Sequence, residues 1–183
     1  MPRTTRSASA QRSSATLAVA ASVDAIRRIL RALRLAARQT QTVAGLSAAQ
    51  LFVLQALDDG EEASLSDLAV RTMTDRSSVA AVVDRLLEVR LVVRGTASTD
   101  RRRAAIALTA AGRDVLARSP EPPTALLVKA LRTLPDLQLA PLAEGLTLLA
   151  AAMGLAEEPA GMLFDDERAR RDRSKTGRTG RGR

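Results

Sequence analysis

The 183-residue sequence contains no cysteine, histidine, tryptophan or tyrosine, and its aromatic residues are Phe52 and Phe164. Without cysteine there can be no disulfide, no thiol redox sensor and no thiolate metal site. Without histidine, zinc-hydrolase, serine-triad and imidazole acid–base chemistry lose their usual ligand or base. Since the sequence shows no other set of acid, base and nucleophile, we expect no enzyme, no metal site and no cofactor.

Long apolar runs are also absent, because no stretch reaches the 18 apolar residues that a membrane-spanning helix needs. The N-terminus does imitate a targeting peptide, with Arg3, Arg6 and Arg12 ahead of an apolar stretch over residues 15–23. That stretch is alanine-rich and runs without a break into a charged amphipathic pattern, unlike a cleaved signal. We therefore expect a cytoplasmic protein.

Basic residues are in excess, and the formal net charge is +8 at pH 7. Residues 1–16 carry three arginines and no acid, and residues 160–183 carry eight basic and four acidic residues. The stretch between them holds 17 basic and 16 acidic residues and is almost neutral. The excess favours an anionic partner, and any basic surface on the body must come from local clustering.

Aliphatic residues replace the missing aromatics, and their spacing predicts helices. The apolar fraction is 46%, enough for a core of Ala, Leu and Val. After a basic tail over residues 1–16 that we expect to be disordered, apolar spacings of four and three predict an amphipathic helix over about residues 17–39. The same spacing from Leu139 to Met153 predicts a last helix. Residues 157–183 are expected to form a second disordered basic tail.

Three capping patterns mark three short helices in the middle of the chain. Ser47 with Gln50 and Ser64 with Asp67 match capping boxes, in which each side chain bonds the backbone N–H of the other residue. Asp75 is placed to cap a third helix, whose apolar residues recur at helical spacing. The sequence therefore predicts three helices joined by tight polar turns.

The period then changes from helical to extended. Residues 91–94 and 104–108 are short apolar runs on either side of a long basic loop, which predicts a β-hairpin. Thr109 is placed to cap the next helix, which the proline-rich residues 119–123 must end, and a further helix follows over about residues 124–134.

Three short helices followed by a hairpin with a basic tip are typical of a winged helix-turn-helix. In that fold the third helix enters the major groove of DNA and the wing follows the backbone or the minor groove. The predicted fold class is therefore mainly α with a small β-hairpin wing, accompanied by terminal helices.

The wing adds specific residues to this pattern. It carries Asp100-Arg101-Arg102-Arg103, followed by Ile106, Leu108-Thr109 and Gly112, and preceded by Val79, Val83-Asp84-Arg85-Leu86, Leu91-Val92 and Arg94. These residues resemble the signature of the MarR family of transcriptional regulators. The resemblance covers about residues 17–156, with the winged helix-turn-helix at about 46–110 and dimerisation helices at about 17–39 and 124–154.

The resemblance implies a homodimer in which the first and last helices of two chains interlock. Independently of the resemblance, each terminal helix carries a row of apolar residues spaced four and three apart, here called a seam. Two such seams provide more apolar surface than one small winged domain needs. The alternative is that they bury these seams against their own core. The residues that we expect to form the dimer contact are Val23, Ile26, Leu30, Leu33, Leu142, Leu146 and Leu149.

The resemblance also assigns roles in the wing. Arg102 matches the family's wing arginine and is expected to reach into the minor groove, where a narrow groove attracts guanidinium. Arg101 and Arg103 are expected to contact phosphates or to hold the wing, and Asp100 to form an ion pair that positions a wing arginine. The alternative for all four is a solvated charged loop.

In the third helix, Ser77, Ser78, Ala81 and Arg85 recur on the side opposite the apolar residues, so we expect them to face the groove. Arg76 stands in the first turn, where it can contact a phosphate. Exposure without contact is the alternative for each of them, and the Asp84-Arg85 pair can equally serve structure by ion pairing. Two features depart from the family: the small Ala80 and Ala81, which make direct base contacts sparse, and the prolines at 120–123, which shorten or bend the dimer arm.

The leading hypothesis is a homodimeric, sequence-specific transcriptional regulator that binds double-stranded DNA, acts as a repressor and is released by a small apolar ligand. The sequence equally allows that there is no effector. Such a protein would lie in the cytoplasm and associate with the nucleoid. The alternatives are an architectural nucleoid protein with little sequence specificity, which uses the basic tails, and a protein–protein module whose wing charge is incidental. The tails themselves either bind phosphates or only raise solubility.

Overall fold

The computed structural model describes residues 4–58, 62–96, 104–158 and 161–165. These residues form two compact units, divided between Leu35 and Ala36. The fold class predicted from the sequence is confirmed, since the described residues are mostly helical and carry one antiparallel hairpin. The elements are α1 (Thr4–Ala44), α2 (Ala48–Asp58), α3 (Leu65–Arg71), α4 (Arg76–Glu88), β1 (Val92–Thr96), β2 (Ala104–Leu108), α5 (Ala110–Arg118), α6 (Pro123–Arg132) and α7 (Asp136–Ala152).

Helix α1 is longer at both ends than the sequence predicts. It starts at Thr4, within the stretch for which we expected disorder, and it ends at Ala44 rather than near residue 39. The reason is that no glycine or proline interrupts residues 4–44, which are rich in alanine and arginine, two strong helix formers. The helix stops at Gly45, whose φ of 66° a side chain would disfavour.

The predicted caps begin the three short helices. The Ser47 N–H donates to Gln50 Oε1 at 2.9 Å, and the Gln50 N–H donates to Ser47 Oγ at 3.2 Å. Ser64 and Asp67 exchange the same two bonds. Asp75 caps α4 by accepting the Ser78 N–H at 2.9 Å. All three capping predictions are confirmed, and these local bonds fix where each helix starts.

The core lies in the second unit, beneath α4. It is almost entirely aliphatic, and the aromatic ring that it includes is that of Phe52, which is 8% exposed. Helix α4 contributes Val79, Val82, Val83 and Leu86, all fully buried. Helices α2 and α3 pack on this side of α4, so the opposite side of α4 is left to the surface.

The hairpin pairs β1 with β2 in the register Val92↔Leu108 to Thr96↔Ala104. A third backbone segment joins its edge, because Ala63 and Ile106 exchange hydrogen bonds of 3.0 and 2.8 Å. The sequence did not predict this bridge. It ties the turn between α2 and α3 to the base of the wing, on the same side as the aliphatic core.

The last helices follow the predicted breaks. Helix α5 ends before Ser119, and α6 starts at Pro123, so the proline-rich interruption of the arm is confirmed. Residues 161–165 depart from the expected disordered tail, because Met162 is 8% exposed and joins the core. Of the rest of that predicted tail, residues 157 and 158 are exposed, and residues 159–160 and 166–183 lie outside the described residues. Among the described helices, none has both the length and the apolar character to cross a membrane.

Gly112 allows α5 to pack closely against the base of the wing. Its N–H donates to Thr109 Oγ1 at 3.0 Å, and the Thr109 N–H donates to the carbonyl oxygen of Leu91 at 3.1 Å. A Cβ on Gly112 would lie 2.1 Å from that same oxygen of Leu91. A side chain here must therefore displace backbone, which explains the glycine in the family-like motif.

We expect Gly112→Ala to lower the free energy of unfolding by about 1–3 kcal/mol, because the new methyl group overlaps a backbone carbonyl that cannot move alone. Urea unfolding followed by circular dichroism measures the loss. Gly95→Ala is the matched control, since a Cβ on Gly95 meets no atom of the described residues within 4 Å. Equal stability of the two variants would contradict the close approach of α5 to Leu91.

Candidate nucleic-acid interface

The N-terminus of α4 is occupied by a carboxylate. Asp75 accepts hydrogen bonds from the hydroxyls of Ser77 and Ser78 and from the Ser78 N–H. These bonds, that from the Ser77 hydroxyl first, hold the pKa of the Asp75 carboxyl well below its usual range. Asp75 therefore stays ionised. Its carboxylate binds the Ser78 N–H and places negative charge at the helix N-terminus, where a phosphate would otherwise be attracted.

This arrangement changes the roles predicted for the two serines. Ser77 is exposed and Ser78 is half-buried. Both hydroxyls donate to Asp75, so neither has its proton available for a phosphate or for a base acceptor. Their oxygens can still accept, as from the amino group of adenine or cytosine. Arg76 is exposed beside them, on the first turn as predicted.

An ion pair joins α4 to the wing. Arg94 on β1 donates from Nη2 to Asp84 Oδ1 at 2.8 Å, and both side chains are about half exposed. An exposed pair of this kind adds at most about 1 kcal/mol of stability, so its main effect is on the orientation of the hairpin relative to α4. Asp84 therefore has the structural role that the sequence left open for the Asp84-Arg85 pair.

Arg85 is not directed away from the protein as predicted for a groove contact. Its Nη2 donates to Asp165 Oδ1, and its Nε donates to the carbonyl oxygen of Ala81 at 3.2 Å. The Arg85 side chain is 18% exposed and that of Asp165 is 10% exposed. Sequence reasoning missed Asp165, which lay in a predicted tail. The apolar run Met162-Leu163-Phe164 inside that charged tail was the available signal.

The tip of the wing lies outside the described residues. Asp100, Arg101, Arg102 and Arg103, to which the sequence assigns the main wing contacts, belong to it, so their roles stay predictions. The strands on either side, β1 and β2, end and begin next to this loop. The remaining predicted DNA contact on α4 is Ala81, which is half-buried.

The predicted dimer residues divide into exposed and buried ones. In the first unit Val23 and Leu30 are exposed and Ile26 is half-buried, whereas Leu33 is 8% exposed within the single chain. Leu33 therefore has little surface left for a second chain. In the second unit none of the side chains of α7 is buried. The exposed members there are Leu142, Leu146 and Leu149.

A cavity of about 580 Å³ opens between α2, the end of α3 and α6. Its lining combines the buried or half-buried apolar residues Phe52, Ala125 and Val128 with exposed charged residues, here called the rim. The rim holds three cations and one acid, Arg71, Lys129, Arg132 and Glu121, and Lys129 lies 3.8 Å from the Glu121 carboxylate.

One polar group of the cavity wall is unsatisfied. Gln55 Oε1 is buried and has no hydrogen-bond partner among the described residues. Arg71 is held in place by its bond from Nη1 to the carbonyl oxygen of Ala56 at 3.0 Å. The sequence did not predict this cavity, although the spacing of its residues on α2 and α6 places each set on one helical face.

Comparison with known proteins supports the same fold. Residues 44–103, from the end of α1 into the wing, match the MarR family. A protein of Thauera aromatica, named for transcriptional regulation of the hcr operon, is 40% identical over 87 residues, which is 48% of this chain and 52% of that protein. The match thus spans about half the length of that relative.

Solved structures resemble the chain over a longer stretch. A MarR family transcription regulator superposes with a TM-score of 0.51 at 20% identity, over 80% of this chain and 97% of that one, which shows the shared fold. The regulator BldR of Sulfolobus solfataricus is 26% identical over 75% of this chain and 95% of its own, with a TM-score of 0.47. The family match runs from the end of α1 into the wing, so this stretch of the chain is similar to the MarR family of transcriptional regulators.

Proposed function

We propose that the chain is a homodimeric, sequence-specific DNA-binding regulator that represses transcription by occupying a promoter palindrome, and that it is not an enzyme. The observation that carries the proposal is the presentation of α4. Its apolar side is fully buried, its polar side faces outward, and the wing is fixed beside it by the Arg94–Asp84 ion pair. A helix and a wing held this way can enter adjacent grooves together.

A second function is favoured by the chemistry of α4 itself. The hydroxyls of Ser77 and Ser78 and the guanidinium of Arg85 are already engaged by carboxylates. With small Ala80 and Ala81 between them, few groups remain to read bases. An architectural nucleoid protein with little sequence preference, held by its basic tails, would need no such groups.

Fluorescence anisotropy separates the two functions. The gene's own upstream DNA is compared with a scrambled duplex across a salt series, with the full chain and with residues 166–183 removed. A preference of roughly a thousandfold for the upstream DNA that survives the truncation supports the regulator. Equal binding that collapses with the truncation supports the architectural protein, and no binding at low salt contradicts both.

Arg102→Ala tests the wing in the same assay. We expect affinity for the upstream DNA to fall by about 1–3 kcal/mol, because a groove-reading arginine contributes that much to recognition. Arg118→Ala removes the same charge from the exposed end of α5 and is expected to have a much smaller effect. If both variants bind like the unaltered chain, the role of Arg102 is wrong.

The homodimer is supported by apolar surface that a single chain leaves uncovered. Val23 and Leu30 on α1, and Leu142, Leu146 and Leu149 on α7, are exposed at spacings that align each set on one helical face. Exposed apolar residues that form a contiguous patch are typical of a protein contact. We propose that a second copy of the chain covers them.

Leu146→Glu is expected to convert the dimer to a monomer, because it places a carboxylate in the centre of the α7 seam. Light scattering gives the mass, and Ile26→Glu tests the α1 seam in the same way. Leu148→Glu is the control, since Leu148 is also exposed but lies on the other face of α7. An unchanged mass for Leu146→Glu would remove α7 from the interface.

The cavity between α2 and α6 is where we place the effector that releases DNA. The sequence suggested an apolar ligand, but the rim of Arg71, Lys129 and Arg132 favours an apolar body with an anionic head. Gln55 Oε1 adds an acceptor for a donor group of the ligand. A ligand there would contact α2, which belongs to the winged domain, and also α6. Binding could therefore change the position of the winged domain relative to α6.

Three probes with the same eight-carbon chain but different head groups test which ligand charge this site prefers: octanoate, 1-octanol and octylamine. We expect calorimetry to give the tightest binding for octanoate and the weakest for octylamine, because only the carboxylate pairs with the cationic rim. The double variant Lys129→Gln, Arg132→Gln is expected to abolish the preference. Equal binding of octanoate and octanol by the unaltered chain would contradict an anionic effector.

A further inference from the structure

Residues 161–165 form a short segment, here called the strap, that is anchored at two points. Met162 is 8% exposed and belongs to the core. Asp165 is 10% exposed and forms an ion pair with Arg85 on α4. The strap thus reaches the helix that the sequence assigns to the major groove, and it does so with a carboxylate.

Arg85 lies at the border of the outward face of α4. At about 100° per residue, it is turned about 110° from the centre of the buried stripe of Val79, Val82, Val83 and Leu86. A guanidinium there can reach a phosphate beside the groove if nothing covers it. In the structure Asp165 covers it, and the Arg85 side chain is 18% exposed.

A carboxylate and a DNA phosphate offer an arginine the same chemistry, namely an anionic oxygen that accepts its N–H groups. Both cannot lie against Arg85 at once, because two anions at one guanidinium repel each other. The sequence continues from Asp165 with Asp166 and Glu167. This run of three acids places further negative charge in the chain directly after the contact with Arg85.

We propose that the strap is an intramolecular competitor for DNA: the carboxylate of Asp165 occupies the phosphate position on Arg85, and duplex DNA must displace it to bind fully. The proposal rests on the proposed DNA-binding function. It gives the chain a threshold for binding, since the affinity for DNA is reduced by the fraction of molecules whose strap is closed.

The backbone of the strap is suited to release. Phe164 has a φ of 56°, a left-handed conformation that costs energy for a bulky residue and that opening relieves. The contact between Asp165 and Arg85 is replaced on DNA by a phosphate contact, so opening leaves no arginine without a partner. When the strap opens, the burial of Met162 in the core is lost, and no contact with DNA replaces it.

Docking of the strap is measured first without DNA. In the full ¹⁵N-labelled chain, the Nε–H signal of Arg85 is assigned by its loss in Arg85→Lys. We expect Asp165→Asn to shift this signal and to speed its exchange with water, whereas Glu158→Gln leaves it unchanged. Glu158 is exposed and is the matched control, because its replacement removes the same charge from the nearby chain. If Asp165→Asn changes neither the shift of the Arg85 signal nor its exchange with water, the strap does not dock on Arg85.

Anisotropy with duplex DNA then measures the competition. We expect Asp165→Asn to bind about three- to tenfold more tightly than the unaltered chain, as for a strap that is closed in most molecules. Met162→Ser, which loosens the other anchor, should act in the same direction, and circular dichroism checks that it folds. Glu158→Gln should bind at most slightly more tightly. In the Arg85→Gln background, the gain from Asp165→Asn should disappear.

The outcomes distinguish a failure of the proposed DNA-binding function from a failure of the competition by the strap. If the unaltered chain does not bind DNA at low salt, the proposed function fails, and so does the competition, while the signal of Arg85 still reports docking. If the chain binds DNA and Asp165→Asn weakens or leaves unchanged its affinity, the strap does not compete. A gain that persists without Arg85 likewise overturns the proposal.

Discussion

The buried side of α4 is the constraint on which the rest of the structure depends. Its three valines and one leucine are fully buried, and burying each such side chain contributes about 1.5–3 kcal/mol before the cost of ordering it. Valine is stiff about its first side-chain torsion, so a stripe of valines fixes the rotation of the helix about its axis. This compensates for the near absence of aromatic rings. The rotation in turn decides which residues of α4 meet a partner.

Carboxylates surround the outward side of this helix. Asp75 holds two serines at its start, Asp84 holds Arg94 of the wing, and Asp165 holds Arg85 at its flank. Each acid engages a donor that could otherwise bind DNA. The charge near α4 is therefore balanced, and the attraction for a polyanion must come from the wing and from the basic ends of the chain.

How much of this was predictable depends on the distance along the chain over which each interaction acts. The caps by Ser47, Ser64, Asp75 and Thr109 were predictable, because their partners stand three residues away. The hairpin and the break at the prolines followed from local chemistry in the same way.

Interactions between distant segments were not predictable. The bridge between Ala63 and Ile106 leaves no trace in the sequence, since any residue offers the same backbone groups. The ion pair between Arg85 and Asp165 joins residues 80 positions apart, and each of them has other charges nearby. The start of α1 was misjudged because polar composition was taken as disorder, although alanine and arginine also favour helix.

The proline-rich connection between α5 and α6 has a mechanical consequence. Pro120, Pro122 and Pro123 have no amide hydrogen, and α5 and α6 each close their own backbone hydrogen bonds on either side of them. Tilting α6 about this connection therefore breaks no helical hydrogen bond, whereas bending one continuous helix would. Because α5 is bonded to the base of the wing and α6 lines the cavity, a tilt of α6 at this connection would be opposed by side-chain packing and by the Lys129–Glu121 ion pair, not by helical hydrogen bonds. The stiffness of this arm can then be adjusted by changing packed side chains, without remaking the backbone.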